Sequence, residues 1–225
     1  IAIQAAVAFQ AKQMAERFGV PFSEETGEPQ DLLVVGMGKL GGEELNVSSD
    51  IDLVFLYDSD GETRAMDQFQ PRRTISNREF FERLGRRVIP MLANMEGCGF
   101  VFRVDMRLRP DGDAGPMACS SGMLEEYLYT QGREWERFAW LKGRVVSAPV
   151  FASKDQFQSQ CRSIAMLVRP FVYRKYVDFS AVSSIAGLHA MIRAETKRRE
   201  LQHQGNGVNV KLGRGGIREI EFIAQ

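Results

Sequence analysis

The sequence has little of what a disulfide framework, a zinc site or a membrane segment requires. Its 225 residues include three cysteines (Cys98, Cys119 and Cys161) and two histidines. Because the cysteines lie far apart and no C-x-x-C pair occurs, neither a disulfide scaffold nor a structural zinc site is expected. No apolar run approaches the roughly 18 residues of a membrane span, so no membrane partner is expected. Unpaired cysteines favour a reducing compartment, and the predicted location is the cytoplasm.

The sequence also lacks net charge, since 29 basic residues balance 29 acidic residues. The charges are unevenly distributed: residues 1–70 hold 4 basic and 13 acidic side chains, whereas residues 160–225 hold 11 basic and 5 acidic. A neutral chain does not favour a nucleic-acid partner. With 44% apolar and 26% charged residues, the composition is typical of a globular protein. The pattern at both ends, Ile1 without a signal segment and Gln225 within an apolar stretch, is typical of a piece of a longer chain.

Apolar spacing predicts the elements of the first half. Residues 1–18 predict an amphipathic helix closed by Gly19. Short β-branched runs at residues 32–35 and 51–57 predict buried strands. The polar stretch 58–75 predicts a long loop.

The second half predicts more helices and one further strand. The capping box formed by Ser76 and Glu79 predicts a helix kinked at Pro90 and ended by Gly97. Alternation over residues 100–109 predicts a ten-residue strand. Residues 124–146 predict one helix, and from Pro149 onward the pattern is again helical. The helix over residues 124–146 is expected to turn three side chains inward: Trp135, Phe138 and Leu141.

The glycine-rich stretch GMGKLGGEELNVSSDIDL, residues 36–53, is the most informative in the chain. Its start matches G-x-G-x-x-G, but the helix of a dinucleotide-binding fold would contain only Leu45 and Val47 as apolar residues. A Walker loop also fails, because Leu33 and Leu40 occupy positions that need Gly and Ser or Thr. Neither nucleotide-binding motif is therefore predicted here.

Three aspartates could hold a metal ion. Asp50 and Asp52 are two apart in a predicted strand, so their Cα atoms are about 6.6 Å apart on one face. Like charges at that distance repel unless a cation lies between them, and Mg²⁺ suits carboxylate oxygens. Two solvated acids at a strand end are the alternative. Asp105 supplies a third carboxylate, as two-metal phosphoryl chemistry requires.

Arginines surround that third carboxylate in the predicted strand. The alternation places Arg103, Arg107 and Arg109 on the face of Asp105, where guanidinium groups could bind phosphate. A solvated basic sheet face is the simpler alternative. Lys39, in the glycine-rich stretch, could also reach a phosphate.

Three segments, GMGKLGGEELNVSSDIDLVFLY, FVFRVDMRLRP and KLGRGGIREIEF, resemble the bacterial glutamine synthetase adenylyltransferase/adenylyl-removing enzymes. The resemblance covers residues 32–225. It implies an α/β (α+β) fold: a DNA polymerase β-like nucleotidyltransferase domain over residues 31–148, preceded by a helix and loop over residues 1–30 and followed by a truncated helical region over residues 149–225.

The resemblance also implies roles for individual residues. Asp50, Asp52 and Asp105 correspond to the metal-binding, catalytic carboxylates, with Mg²⁺ or Mn²⁺ as the cofactor. Gly38 and Lys39 occupy the superfamily's Gly-Ser turn, although the lysine departs from the general superfamily pattern. The residues expected to bind nucleotide or phosphate are Gly38, Lys39, Ser49, Arg103, Arg107 and Arg109.

The two halves of this family run opposed reactions on one tyrosine of glutamine synthetase. The variants GGEELNVSSD and GGIREIEF resemble the N-terminal half, which removes AMP with orthophosphate and releases ADP. The rivals are an adenylylating half that uses ATP, a nucleotidyltransferase fold that only binds a nucleotide or a regulatory partner, and, ranked third, a Rossmann oxidoreductase. Control by the PII signalling protein is implied by the resemblance alone.

Four further polar residues lie in the last quarter of the chain. Glu219 and Glu221 follow Gly216 in a predicted helix. Either they serve an active site or domain interface, or Glu221 pairs with Arg218 in a structural ion pair. His189 and His203 have no acidic or cysteine partner at ligand spacing and are expected to be structural or exposed.

Overall fold

The computed structural model describes residues 1–173 except 48, 72 and 95–101, and beyond them only isolated helical positions. The chain divides into two compact units, Ile1–Tyr173 and Arg174–Gln225. All elements below belong to the first unit. The three-part division predicted from the sequence stays a prediction.

The first unit combines helices with a mixed sheet, as the α/β prediction requires. Its helices are α1 (Ala2–Phe18), α2 (Gly38–Gly41), α3 (Asn77–Ala93), α4 (Ser121–Thr130), α5 (Glu134–Leu141) and α6 (Lys154–Val172). Its strands are β1 (Val20–Pro21), β2 (Leu33–Gly36), β3 (Ile51–Tyr57), β4 (Thr63–Arg64), β5 (Val104–Asp105), β6 (Cys119–Ser120) and β7 (Arg144–Val145). Within the described residues, no helix is long and apolar enough to cross a bilayer.

The main sheet is built around β3. Strand β2 pairs with it antiparallel and pairs antiparallel with β7 on its other edge. Strands β5 and β6 both run parallel to β3, with β5 at its start and β6 at its end. A separate two-stranded sheet joins β1 to β4.

Helices cover both faces of this sheet, so its strands are buried almost throughout. Alternate side chains of β2 and β3, such as Val34 and Phe55, join the core formed with α1 and α3. The intervening side chains, such as Val35 and Val54, join the core formed with α4, α5 and α6. Burial on both faces explains why these strands are continuous apolar runs rather than alternating ones.

Several predicted elements are confirmed. Helix α1 ends at Phe18 with Gly19 as its cap, at a φ of 86°. Strand β3 has the predicted bounds, residues 51–57. The hydroxyl of Ser76 accepts the backbone N–H of Glu79 at the start of α3. That helix ends at Ala93, with Asn94 extended at its C-cap, so it stops before the predicted end at Gly97, which itself lies outside the described residues.

The predicted strand over residues 100–109 is wrong in length. Within its described part only Val104 and Asp105 pair as a strand, and residues 107–110 turn. The carboxylate of Asp105 accepts the backbone N–H of Arg107 at 2.9 Å, which removes that donor from any strand ladder. The N–H of Arg109 then bonds to the carbonyl of Met106. A side chain that captures a nearby N–H thus competes with the sheet.

The single helix predicted over residues 124–146 is also wrong. Helix α4 ends at Thr130 because the N–H groups of Gln131 and Gly132 both bond to the Tyr127 carbonyl. Helix α5 then starts afresh, with the Glu136 carboxylate accepting the N–H of Arg133. The interruption rotates α5, so that Trp140 is buried whereas Trp135, which was expected to face inward, is exposed.

The helical pattern predicted from Pro149 starts later than expected. Residues 149–153 are not helical, and α6 begins at Lys154 behind a capping box formed by Ser153 and Gln156. The buried carboxylate of Asp31 holds this non-helical segment by accepting the N–H groups of three consecutive residues, Val150, Phe151 and Ala152, at 3.0–3.1 Å. Burial raises the pKa of Asp31, and these three hydrogen bonds oppose the shift. The bonds join the entry of α6 to the entry of β2.

Replacing Asp31 should therefore destabilise the fold. We expect Asp31→Ala to lower the free energy of unfolding by about 3 kcal/mol or more, because two buried N–H groups and one partly buried N–H group lose their acceptor at about 1–3 kcal/mol each. Chemical denaturation followed by circular dichroism measures the change. Glu16→Ala, on the exposed side of α1, is the matched control and should change stability by less than about 0.5 kcal/mol. Equal stability of the two variants would contradict this role of Asp31.

Candidate active site

Two of the predicted carboxylates lie side by side. Strands β3 and β5 are parallel, and their register pairs Asp52 directly with Asp105. Neighbouring strands lie about 4.8 Å apart. Asp52 and Asp105, which are separated by 52 residues in the sequence, therefore lie next to each other at the edge of the sheet. The pairing is held by the backbone, because the N–H of Ile51 bonds to the carbonyl of Arg103 at 2.8 Å.

The glycine-rich turn closes over Asp52. Gly38 has a φ of 51°, and a Cβ at this position would lie 2.8 Å from Oδ2 of Asp52. The N–H of Met37 bonds to the carbonyl of Asp52 at 2.9 Å. Only a residue without a side chain lets the turn approach this carboxylate so closely. Because β2 and β3 are antiparallel, the turn also differs from the parallel βαβ unit of a dinucleotide-binding fold.

Two basic side chains that were not predicted from the sequence hold this turn in place. The guanidinium of Arg144 donates to the carbonyls of Gly41 and Leu40 at 3.1 and 3.3 Å. Lys142 binds the carboxylate of Glu44 at 2.9 Å. Both cations follow α5, about 100 residues later in the chain, and the only sequence signal was the pair of acids, Glu43 and Glu44, beside the glycines.

Asp105 is held by Arg107. Nε of Arg107 lies 3.0 Å from Oδ1 and 2.9 Å from Oδ2, and Nη2 also reaches Oδ2. These hydrogen bonds lower the pKa of Asp105, although partial burial opposes the shift. The same contacts raise the pKa of Arg107, and the charges of Asp113 and Asp52 add to that rise. The guanidinium thus lies within the field of several carboxylates.

Asp50 is held in the same way by Arg103, whose Nε donates to Oδ1. Both side chains are more than half exposed. A cleft of about 640 Å³ opens beside these two ion pairs. Its lining includes Asp113, an acid that the sequence pattern does not single out.

Arg109 does not share the position predicted for it. Its side chain is only 10% exposed, and Nη1 donates to the carbonyl of Met106 at 2.8 Å. Because the strand stops at Asp105, the expected alternation does not extend to residue 109. Arg109 therefore holds the turn that follows Asp105.

Of the remaining predicted residues, two lie within the described part of the chain. Lys39 is partly exposed within α2, and Ser49 is partly exposed just before β3, where its N–H bonds to the carbonyl of Asn46 at 3.1 Å. Four residues lie outside the described part of the chain: His189, His203, Glu219 and Glu221.

The carboxylates suit a hard divalent cation, but two of them, rather than a cluster of three or more, would coordinate it. No three histidine, cysteine or acidic side chains within the described residues gather where they could hold a metal ion. Mg²⁺ commonly takes only one or two carboxylates and completes its shell with water and substrate phosphates. Asp52 and Asp105, adjacent in the sheet, meet that requirement.

A larger cavity of about 900 Å³ lies beside α5, β7 and α6. Apolar side chains such as Trp140, Phe157 and Ile164 dominate its lining, which includes Arg144 and Arg169 but no carboxylate among the described residues. It therefore offers no carboxylate to a divalent cation, and the acidic cleft is the better candidate for phosphoryl chemistry.

Comparisons with known proteins identify the family of the chain. Residues 1–160 match the family described as glutamate-ammonia ligase adenylyltransferase, and residues 186–225 match the family described as GlnD PII-uridylyltransferase. Three relatives, each a bifunctional glutamine synthetase adenylyltransferase/adenylyl-removing enzyme, illustrate the likeness.

The relative from Burkholderia mallei is 54% identical over 224 residues, which cover 100% of this chain and 23% of the relative. Those from Ralstonia nicotianae and Nitrosomonas europaea are 50% and 53% identical, over 100% and 92% of this chain and 24% and 20% of their own lengths. The chain thus spans about a quarter of the length of these curated relatives. The resemblance inferred from three sequence motifs is confirmed, and the chain belongs to the glutamate-ammonia ligase adenylyltransferase family.

Proposed function

We propose that this chain carries the site that removes AMP from the adenylylated tyrosine of glutamine synthetase by phosphorolysis, releasing ADP and active synthetase. The observation that carries the proposal is the direct pairing of Asp52 with Asp105, beneath the Gly38 turn and beside a cleft with two arginines. The relatives' names contain both an adenylyl-transferring and an adenylyl-removing activity. The site belongs to one of these reactions.

The proposed fold of the site is that of a DNA polymerase β-like nucleotidyltransferase. Carboxylates on adjacent strands, reached by a glycine turn from the preceding strand, support this assignment. In the reaction, an oxygen of orthophosphate attacks the adenylyl phosphorus. The bond from phosphorus to the tyrosine oxygen breaks, the tyrosine oxygen takes a proton, and ADP leaves.

Each residue of the site has a separate proposed role in this reaction. Asp52 and Asp105 would hold Mg²⁺ or Mn²⁺, which when bound offsets the charge that develops on the phosphoryl oxygens. Asp50 supplies a third carboxylate at the rim. Arg103 and Arg107 border the cleft, where their guanidinium groups can bind the incoming phosphate.

Lys39 and Ser49 are proposed to contact the nucleotide from the glycine-rich segment. Glutamine synthetase as the protein substrate and the PII protein as a regulator are likewise proposals. They concern the complete enzyme, of which this chain is a part.

Adenylylation with ATP is the second candidate, because the same carboxylates can serve either direction. Two observations favour removal. The motif variants GGEELNVSSD and GGIREIEF resemble the adenylyl-removing half, and the exposed arginines Arg103 and Arg107 offer a free anion a place to bind. A domain that only binds a nucleotide ranks lower, because all three acids are present.

Removing one central carboxylate should abolish turnover without unfolding the protein. We expect Asp52→Asn and Asp105→Asn each to lower the rate of AMP removal by more than about 10²-fold, since charge at the reacting phosphate is lost while volume is kept. Activity on adenylylated glutamine synthetase measures the effect, and thermal melting checks the fold. Glu16→Gln, an exposed acid on α1, is the control and should keep full activity. Wild-type activity in both asparagine variants would refute the assignment.

The arginines should govern the use of phosphate. Lysine keeps the charge but loses the planar fork, so Arg103→Lys or Arg107→Lys should raise the KM for orthophosphate by about 10- to 100-fold, corresponding to about 1–3 kcal/mol for a charge-assisted hydrogen bond. Steady-state kinetics at varied phosphate tests this. Arg86→Lys, an exposed arginine on α3, should leave that KM unchanged. If KM is unchanged in both cleft variants, the arginines form only structural ion pairs.

The direction of the reaction separates the two candidate functions. One reaction contains adenylylated glutamine synthetase, Mg²⁺ and labelled orthophosphate, and the other contains unmodified synthetase, Mg²⁺ and labelled ATP. We expect labelled ADP in the first and no labelled synthetase in the second, and the Asp52→Asn variant should give neither product. Label on the synthetase in the second reaction, with no ADP in the first, would assign this chain to the adenylylating half.

A further inference from the structure

Three N–H groups of Arg107, one from the backbone and two from the guanidinium, contact both oxygens of the Asp105 carboxylate. Oδ1 accepts the backbone N–H and Nε of Arg107, and Oδ2 accepts Nε and Nη2. A carboxylate offers about four lone-pair sites. A cation that binds Asp105 must therefore compete with these N–H groups for the two oxygens.

The hydrogen bonds that the Arg107 side chain makes to Asp105 are easily displaced. The Arg107 side chain is 74% exposed, whereas that of Asp105 is 19% exposed. Water can solvate the exposed guanidinium well once it turns away, so little is lost when that side chain leaves Asp105. The backbone bond from Arg107 can remain while the guanidinium turns away, so Asp105 keeps its position in β5.

The released guanidinium stays within reach of the cleft. Arg107 lies among Asp105, Asp113 and Asp52, whose charges all act on it. A divalent cation bound between two of these acids would offset two of their three negative charges, so the attraction that holds the guanidinium at Asp105 would weaken. An anionic phosphate in the cleft could then compete with the remaining carboxylate for the guanidinium.

We propose that Arg107 is an exchangeable counter-ion: its guanidinium binds Asp105 until a divalent cation takes its place, and it then binds a phosphate oxygen of the substrate. The inference rests on the proposed function, because it assumes that Asp105 is a metal ligand. Its consequence is positive coupling between the cation and the phosphate. Because coupling between two ligands is reciprocal, phosphate tightens cation binding by the same factor by which the cation tightens phosphate binding.

The test follows the side chains directly by NMR on the full 225-residue chain. The Nε–H signal of Arg107, assigned by its loss in Arg107→Lys, reports the guanidinium, and the carboxyl carbon signals of Asp52 and Asp105 report cation binding. The matched control is Arg78, an exposed arginine whose Nε pairs with Glu82 at 3.3 Å on α3. Mg²⁺ is added first and inorganic phosphate second, and the two are also added in the reverse order.

We expect Mg²⁺ to shift the Arg107 signal together with the two carboxyl signals, and phosphate to shift it again only when Mg²⁺ is present. The Arg78 signal should not move. Arg107→Gln should bind Mg²⁺ about two- to fivefold more tightly than the wild type in 0.5 M salt, where long-range fields are screened. Arg78→Gln should bind Mg²⁺ as the wild type does.

Two results would overturn the inference, and they can be told apart. If the carboxyl signals shift with Mg²⁺ while the Arg107 signal stays in place, Asp105 binds cation and arginine together, so the exchange is wrong and the proposed function stands. If neither carboxyl signal responds to Mg²⁺, the metal-dependent function and the exchange both fail.

Discussion

Two negative side chains held side by side by backbone pairing are the constraint on which the rest of this site depends. The register of two parallel strands places Asp52 against Asp105, and no movement of side chains alone can separate the two Cα atoms. Like charges in such proximity need positive charge between or around them. In this structure Arg107 supplies that charge to Asp105, and in the proposed reaction a divalent cation supplies it.

The surrounding fold keeps this arrangement in place. Strand β3 is buried on both faces between two helical layers, so its start cannot shift without disturbing both cores. The turn over Asp52 is fastened by Arg144, which is presented by β7 on the far edge of β2. Asp31 joins the start of β2 to the entry of α6. Rigid strands thus carry the carboxylates, while exposed arginines at the rim keep the freedom that phosphate binding requires.

Local patterns predicted those parts of the structure that local interactions determine. Spacing and caps gave the bounds of β3 and the start of α3, and the three aspartates were recognised from their residue type and from the strands that carry them. The register between β3 and β5 could not be predicted from the sequence, because it pairs two segments that are separated along the chain by α3. The length of β5 was overestimated since the sequence pattern does not reveal that Asp105 captures the N–H of Arg107. Arg144 and Asp31 were missed because their partners lie more than 100 residues away.

The proposed function depends most on Asp52 and Asp105 acting together as ligands of one divalent cation. Crystals of the protein soaked in Mn²⁺ and measured above the manganese absorption edge test this directly. We expect an anomalous peak between the two carboxylates, within coordination distance of an oxygen of each, with the guanidinium of Arg107 turned away from Asp105. Manganese bound elsewhere in the cleft without contact to either aspartate, or no anomalous peak at saturating Mn²⁺, would contradict the account.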